Sequence, residues 1–160
     1  MAAQPVTITE TAMRTVLDAG KRQPSYDTTR EGQLVATWEV LRNGAPTGLQ
    51  VKVYTSCFGG VSRGVGEDSI RVAVIDVSDP DGKRGVGKTT YTCRTVGWEK
   101  RVVDKIRSMF EFAGAIPRCP ACGKFMSQRK SANGAFMGCT GFPVCKRTMP
   151  VPTALQGVSR

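Results

Sequence analysis

Four cysteines in the last quarter of the chain have the spacing of metal ligands. Cys119, Cys122, Cys139 and Cys145 form the pattern C-x2-C-x16-C-x5-C. Two such knuckles, separated by an insert of hairpin length, can place four sulfurs about 2.3 Å from one ion in a tetrahedral cage. Disulfides would require an oxidising compartment, of which the sequence carries no sign. We predict one zinc ion per chain, with a structural role, because four thiolates leave no open coordination position for catalysis.

Basic residues accompany these cysteines, and acidic residues do not. Seven of the 23 Lys and Arg residues lie between Gly114 and Arg160, a segment without Asp or Glu, whereas the first 113 residues hold 16 basic and 13 acidic ones. One zinc ion with four thiolates adds −2, which lowers the charge of the segment from +7 to +5. Such a field favours a polyanion such as nucleic acid. A basic tail that only increases solubility is the simpler alternative.

The segment from Arg118 to Met149 resembles the zinc ribbon at the C-terminal end of bacterial topoisomerase I. The resemblance rests on Cys119-Pro120-x-Cys122-Gly123, the basic element near Arg129, Gly134-x-Phe136-x-Gly138-Cys139 and Phe142-Pro143-x-Cys145-x-x-Thr148. In that family the ribbons bind single-stranded DNA, with exposed aromatic rings on the bases and basic side chains at the phosphates. The resemblance implies these roles for Phe136, Phe142 and Arg129. Burial of either ring in the ribbon's own core is the alternative.

Further candidate nucleic-acid contacts follow from charge and aromatic character. In the ribbon they are Lys124, Lys130, Lys146 and Arg147, and in the rest of the chain they are Lys52, Tyr54, Arg63, Lys83, Arg84 and Lys88. Stacking on an aromatic ring tolerates any base, so the predicted binding is not sequence-specific. The chain is too short for the cleavage and gate domains of a topoisomerase, so the resemblance implies binding and not strand passage.

Hydrophobic periodicity predicts an α+β unit ahead of the ribbon. A capping box at Thr7–Glu10 and apolar residues at helical spacing up to Gly20 predict a short helix. Segments rich in Val, Ile, Thr and Tyr predict strands at Leu34–Arg42, Leu49–Cys57, Ile70–Val77 and Thr89–Val96, the first two joined by the turn-forming Asn43–Gly48. A second helix is predicted from Trp98 to Glu111. We expect an antiparallel sheet of about four strands with flanking helices, followed by a small zinc ribbon.

The sequence divides into two predicted domains. Residues 1–113 form the α+β core, a unit for single-strand binding or oligomerisation, and residues 114–160 form the C4 zinc ribbon with its basic tail. We expect the core to fold without the ribbon, because its apolar pattern is complete and a small ribbon folds around its metal. Cys57 and Cys93 lie on predicted strands and are interpreted as small buried hydrophobic residues.

Two glycine-rich segments invite a phosphate-binding interpretation. Gly59–Gly66 suits either close approach to a nucleic-acid backbone or an ordinary loop. Gly82–Thr89 satisfies the P-loop pattern G-x4-G-K-T, but the residues after it are typical of a strand, whereas a P-loop must begin a helix. We therefore expect no nucleotide cofactor, and the basic residues of this segment are either solvated or contact DNA.

The sequence does not favour an enzyme. It contains no histidine, which removes the commonest general base and the usual open zinc sites. A magnesium-dependent nuclease would have to use Glu67, Asp68, Asp76, Asp79 and Asp81, which lie near predicted turns and strand ends where acidic residues are ordinary.

The leading interpretation is a non-enzymatic protein that binds single-stranded nucleic acid, DNA more than RNA. An annealing, recombination or replication accessory role follows from it, since the order of elements resembles that of small oligomeric proteins that anneal single strands. The alternatives are an adaptor that docks on a replication or transcription machine and a small nuclease. No apolar run reaches the roughly 20 residues that span a membrane. We expect the cytoplasm of a bacterium or a phage-infected cell, and oligomerisation stays open.

Overall fold

The computed structural model describes residues 14–18, 32–58, 68–93 and 95–156. Residues 14–18 are helical and are called α1. The following elements are β1 Gln33–Arg42, β2 Ala45–Phe58, β3 Asp68–Asp76, β4 Lys88–Cys93, α2 Trp98–Ala115, β5 Met126–Ser131, β6 Gly134–Cys139, β7 Thr148–Met149 and α3 Thr153–Gln156. The predicted α+β class with a C-terminal ribbon is confirmed. Among the described helices, none is both long and apolar enough to cross a membrane.

The first four strands form one antiparallel sheet in the order β1-β2-β3-β4, and α2 covers one of its faces. Alternation along the strands sends every second side chain toward the helix. The buried residues on this side include Leu49, Val51, Val53, Ile70, Val72 and Val74 of the sheet and Val102, Ile106 and Met109 of α2. Val16 of α1 is fully buried in the same core, and Leu17 packs against it half-buried. The predicted capping box and Gly20 lie outside the described residues.

The turn between β1 and β2 is shorter than the sequence indicated. Only Asn43 and Gly44 form it, with φ values of 54° and 79°. Two successive residues with positive φ are the mark of a tight turn whose twist matches that of the flanking strands. β2 therefore begins at Ala45 and not at Leu49. Pro46 is accommodated because the pairing with β1 is irregular between Glu39 and Leu41.

Helix α2 also continues beyond its predicted end at Glu111, as far as Ala115. Ala113 and Gly114 are buried, so burial of small residues continues the helix through a segment whose composition indicated a stop. The guanidinium of Arg42 donates to the carbonyl oxygens of Gly114 at 2.7 Å and Ile116 at 3.1 Å. This interaction satisfies carbonyl groups that the end of a helix leaves without partners.

The ribbon is packed against the larger unit. Phe125, next to the first cysteine knuckle, is buried in the core of the sheet, and Phe112 of α2 contacts both this core and the smaller ribbon core. Arg118 lies over the ring of Phe125, at 4.1 Å from its centroid, and donates to the carbonyl oxygen of Thr47 in β2. The division at residues 113 and 114 stays a prediction, and the described contacts cross it.

The glycine-rich segment 82–89 leads into β4, as predicted, and not into a helix. Gly87 lies against the backbone of β3, and a Cβ atom at this position would be 2.8 Å from the carbonyl oxygen of Val74. A glycine is required here by close approach of two backbones. This packing accounts for one of the residues that gave the segment its P-loop pattern.

We predict that Gly87→Ala destabilises the protein by about 1–3 kcal/mol, because the added methyl group must displace the backbone of β3 or β4. Chemical denaturation followed by circular dichroism measures the change. Arg84→Ala, at an exposed position of the same loop, is the control and is expected to stay within about 0.5 kcal/mol of the parent. Equal stability of the Gly87 variant and the parent would contradict the steric argument.

Candidate metal centre and nucleic-acid interface

The four predicted ligands lie together at one end of the ribbon. Their sulfur atoms are all within 4.8 Å of one another, with Cys119 Sγ 3.6 Å from Cys145 Sγ and Cys122 Sγ 3.3 Å from Cys139 Sγ. A tetrahedral site with zinc–sulfur bonds of about 2.3 Å places its sulfurs about 3.8 Å apart. The described sulfur positions therefore fit one zinc ion with four thiolates, and this group is a structural zinc site.

Two tight turns present the cysteines. In the first, the amide of Gly123 donates to the carbonyl oxygen of Cys119 at 2.8 Å. The amide of Cys119 donates to the carbonyl oxygen of Lys124 at 2.7 Å. Gly123 has a φ of 78°, a conformation that favours glycine. In the second turn, the amide of Gly141 points at Cys139 Sγ at 3.3 Å. An amide aimed at sulfur stabilises the thiolate form that zinc requires.

The pKa values of the cage cysteines favour binding of a cation between them. Desolvation, together with the neighbouring thiols, raises the pKa of Cys139 to about 12. Desolvation also acts upward on Cys119, but hydrogen bonds from the backbone amides of Cys122 and Ala121 lower its pKa to about 7. One thiol of the cage therefore ionises near neutral pH, whereas another stays protonated unless a metal ion compensates its charge.

Behind the cage lies a small apolar core. Met126, Met137 and Leu155 are buried together with Cys119 and Cys139, and side chains from the end of α2 complete the cluster. So few side chains bury little apolar surface, and small units of this kind depend on a metal or another cross-link for stability. The zinc ion is therefore required for the ribbon's fold.

The outer surface of the cysteine knuckles carries an exposed aromatic ring. Phe142 is 60% exposed, and Val144 in the same turn is 97% exposed. The Lys124 side chain crosses the adjacent Gly141, since a Cβ atom there would lie 3.4 Å from Lys124 Cδ. The knuckle thus carries an open ring, with a lysine side chain packed on the glycine that precedes it. Lys146 and Arg147 follow and are also exposed.

The β5–β6 hairpin separates the two basic residues that the sequence places side by side. Arg129 pairs with Phe136 in the register, and its side chain passes over Gly138, where a Cβ atom would be 3.1 Å from its Nε. Successive side chains of a strand point to opposite faces, so Lys130 lies on the other face, the one that Met126 buries. Phe136 is half-buried under Arg129, whereas Lys130 is exposed at the end of the hairpin.

The remaining predicted contacts lie in three places. Lys52 and Tyr54 are on the sheet face opposite α2, and Arg63 is outside the described residues. Lys83 and Arg84 are exposed in the loop before β4, whose Gly85 approaches Ser127 of the ribbon, with the Cβ positions 4.0 Å apart. Lys88 is half-buried, and its Nζ lies 5.0 Å from the centroid of the Phe112 ring. Burial lowers the pKa of this lysine.

Sequence reasoning did not identify Arg71 as a functional candidate. Its guanidinium carbon lies 4.0 Å from the centroid of the Tyr54 ring. Strand alternation places Arg71 on the face of β3 opposite the buried Ile70 and Val72, and the β2–β3 register then pairs it with Tyr54. Arg71 could have been identified only from the pairing of the two strands, because no local sequence motif contains it.

We predict one zinc ion per folded chain. Elemental analysis of the purified, reduced protein should give a stoichiometry near one, and Cys139→Ser should lower it to near zero and disorder the ribbon. Cys93→Ser, outside the cage, is the matched control and should keep the metal. Full zinc content in the Cys139 variant would contradict the assignment.

Zinc affinity should rise with pH. Raised pKa values, as at Cys139, mean that zinc must displace protons, and each displaced proton contributes about one log unit of affinity per pH unit. Between about pH 6 and 8 we expect a slope of at least about one, measured by competition with a chelator of known pH dependence. A flat profile would contradict the protonated state of the metal-free cage.

The similarity to a known protein family lies in the C-terminal part of the chain. No curated protein and no solved structure matches the chain. Residues 116–154 match the family described as the topoisomerase DNA-binding C4 zinc finger. The match includes all four cysteines of the cage and confirms the resemblance found in the sequence. This segment of the chain is therefore a C4 zinc ribbon of the topoisomerase type.

Proposed function

We propose that this protein binds single-stranded nucleic acid through the outer surface of its zinc ribbon, and that DNA is the preferred substrate. The observation that carries the proposal is the exposed ring of Phe142, next in the chain to Gly141, which the Lys124 side chain crosses. A ring that is 60% exposed offers a face to a base, and an adjacent ammonium group can meet the neighbouring phosphate.

The charge of the ribbon supports this proposal. The matched segment 116–154 contains six basic residues and no acidic one, so even a zinc site of charge −2 leaves it positive. Phosphate contacts supply affinity without sequence preference, and stacking adds to them. The printed description of the matching family, a DNA-binding zinc finger, supports the same substrate class.

We further propose a non-enzymatic role, such as that of an annealing, recombination or replication accessory factor in the cytoplasm. Asp76 Oδ1 accepts hydrogen bonds from the amide of Ser78 at 2.9 Å and its hydroxyl at 2.7 Å, and Asp79 Oδ2 accepts from the amide of Arg84 at 2.7 Å. These carboxylates hold their own turns. Within the described ranges, the cysteines are the only group of three or more side chains placed to ligate a metal.

A protein-docking adaptor is the second candidate, because Phe142 and Val144 expose two neighbouring apolar side chains. Exposed apolar groups that are surrounded by charge also occur at protein interfaces. The two functions differ in their dependence on salt, since phosphate binding releases counterions and apolar docking does not.

We predict that Phe142→Ala keeps its zinc and weakens binding to a single-stranded oligonucleotide by about 1–3 kcal/mol, with little change in the salt dependence. Val144→Ala removes exposed apolar surface from the same turn without removing a ring, and it should bind like the parent. Fluorescence anisotropy at several salt concentrations measures both. Parental affinity of a zinc-loaded Phe142 variant would favour the adaptor.

Substitution of basic residues should instead change the slope of log affinity against log salt concentration. Replacing one lysine or arginine that contacts phosphate flattens the slope of log affinity against log salt by about 0.7. Because Arg129 and Lys130 lie on opposite faces of the hairpin, we expect only one of the two single alanine variants to change it. Parental slopes in these variants and in Lys124→Ala would exclude the ribbon as the phosphate-binding element.

A further inference from the structure

The face of the sheet opposite α2 carries a cluster of aromatic and basic side chains. Tyr54 on β2, Arg71 on β3 and Tyr91 on β4 are register partners, so they form one row across three strands. Lys52, two residues before Tyr54, lies on the same face. We call these four residues the sheet cluster. The position of α2 explains why they are not part of the core, since the helix covers only the other face.

Arg71 gives this cluster a planar cation. Its guanidinium carbon lies over the Tyr54 ring, 4.0 Å from the ring centroid, so the cation packs on the tyrosine. Its Nε is buried, and none of the described residues accepts a hydrogen bond from it. A guanidinium plane that is held in this way can take a nucleobase on its other side.

The charges of the face favour a polyanion over a protein or a second sheet. Lys52 and Arg71 are cationic, and the described strands contribute Glu39, which accepts a hydrogen bond from Gln50 Nε2 at 2.7 Å. Asp79 and Asp81 of the loop after β3 line a cavity with Arg71, but Asp79 accepts from the Arg84 amide and Asp81 lies 3.9 Å from Lys83 Nζ. The exposed large apolar side chain on this face is Leu34, near the start of the edge strand β1. Aromatic rings interleaved with cations on an open sheet are the arrangement that binds successive bases and phosphates of a single strand.

The edges of the sheet do not offer an alternative mode of binding. On β4, the carbonyl oxygens of Tyr91 and Cys93 accept hydrogen bonds from Lys105 and Arg101 of α2. On β1, the pairing with β2 is interrupted by two irregularities, which bend an edge and discourage strand addition. A ligand of this sheet therefore has to lie across the face that no described helix covers.

We propose that the sheet cluster is a second binding site for single-stranded nucleic acid, separate from the ribbon. One base stacks on the Arg71–Tyr54 pair, a neighbouring base contacts Tyr91, and Lys52 binds the intervening phosphate. The site goes beyond the function proposed for the ribbon and does not depend on it, because none of its residues belongs to the matched segment 116–154.

The test uses the full-length, zinc-loaded protein and fluorescein-labelled oligo(dT). Arg71→Lys keeps the charge but removes the planar group, and it should weaken binding at least about fivefold, the lower end of the cost of one lost stacking contact. Lys52→Ala should flatten the salt slope by about 0.7. Lys100→Ala removes the same charge from the exposed side of α2 and should change neither quantity.

Ultraviolet cross-linking of oligo(dT) to the parent protein, followed by mass spectrometry, provides a readout that needs no variant. Cross-links at Tyr54 or Tyr91 are expected. If both sheet variants behave like Lys100→Ala, or if cross-links form only in residues 116–154, the sheet site is overturned.

The outcomes for the two sites are distinguishable. Loss of affinity in Phe142→Ala with parental binding in Arg71→Lys and Lys52→Ala leaves the ribbon function standing and removes the sheet site. The reverse pattern supports the sheet site and removes the ribbon function. Should Arg71→Lys fail to fold, as judged by circular dichroism, Lys52→Ala and the cross-links decide the matter.

Discussion

Zinc–thiolate bonding is the interaction on which the C-terminal part of this protein depends. The cage joins residues 119–122 to residues 139–145, so the β5–β6 hairpin is closed at its base by the metal. The apolar cluster behind the cage is small, and Cys119 and Cys139 are themselves part of it. Without the metal, four thiols with no bonds between them would remain, two of them buried, and the turns that carry Phe142 and Lys124 would lose their fixed geometry.

Three side chains connect the sheet to the ribbon and to the end of α2. Phe125 follows the first knuckle directly and is buried in the large core, Arg118 precedes the knuckle and contacts β2, and Arg42 of β1 holds the end of α2. Two of these are arginines whose guanidinium groups bind main-chain carbonyl oxygens, a contact that a shorter side chain does not reach. Ordering of the ribbon by zinc is therefore coupled to the hairpin β1–β2 and to the end of α2.

Much of the architecture was predictable because it follows from local periodicity. Alternation in β2 and β3 and the apolar stripe of α2 identify their buried faces, and cysteine spacing identifies the metal site. The limits of the elements were less predictable. β2 begins early because Asn43 and Gly44 adopt positive φ, and α2 ends late because Gly114 is buried against partners distant in sequence.

The candidate interface shows the same distinction between local and non-local information. Exposure of Phe142 is set by the turn that contains it, and its role in nucleic-acid binding stays a prediction. The pairing of Arg71 with Tyr54 depends on the register of two strands. Strand alternation separates Arg129 from Lys130, and packing of the hairpin against α2 and α3 decides which of its faces is buried. Residues that are adjacent in sequence therefore lie on different surfaces, and residues far apart form one.

The two contact surfaces proposed for this protein lie on one folded body, and together they would have a property that neither has alone. The contacts between the ribbon and the sheet fix the separation of Phe142 from the sheet cluster. A strand that is bound at one surface is then held at a high local concentration near the other, provided that it is long enough to reach both. Affinity then increases by about 100-fold or more without any new type of contact, whereas a shorter strand gains nothing. The packing of Phe125 and Arg118 would thus set the length of strand that the protein prefers, through geometry and not through base recognition.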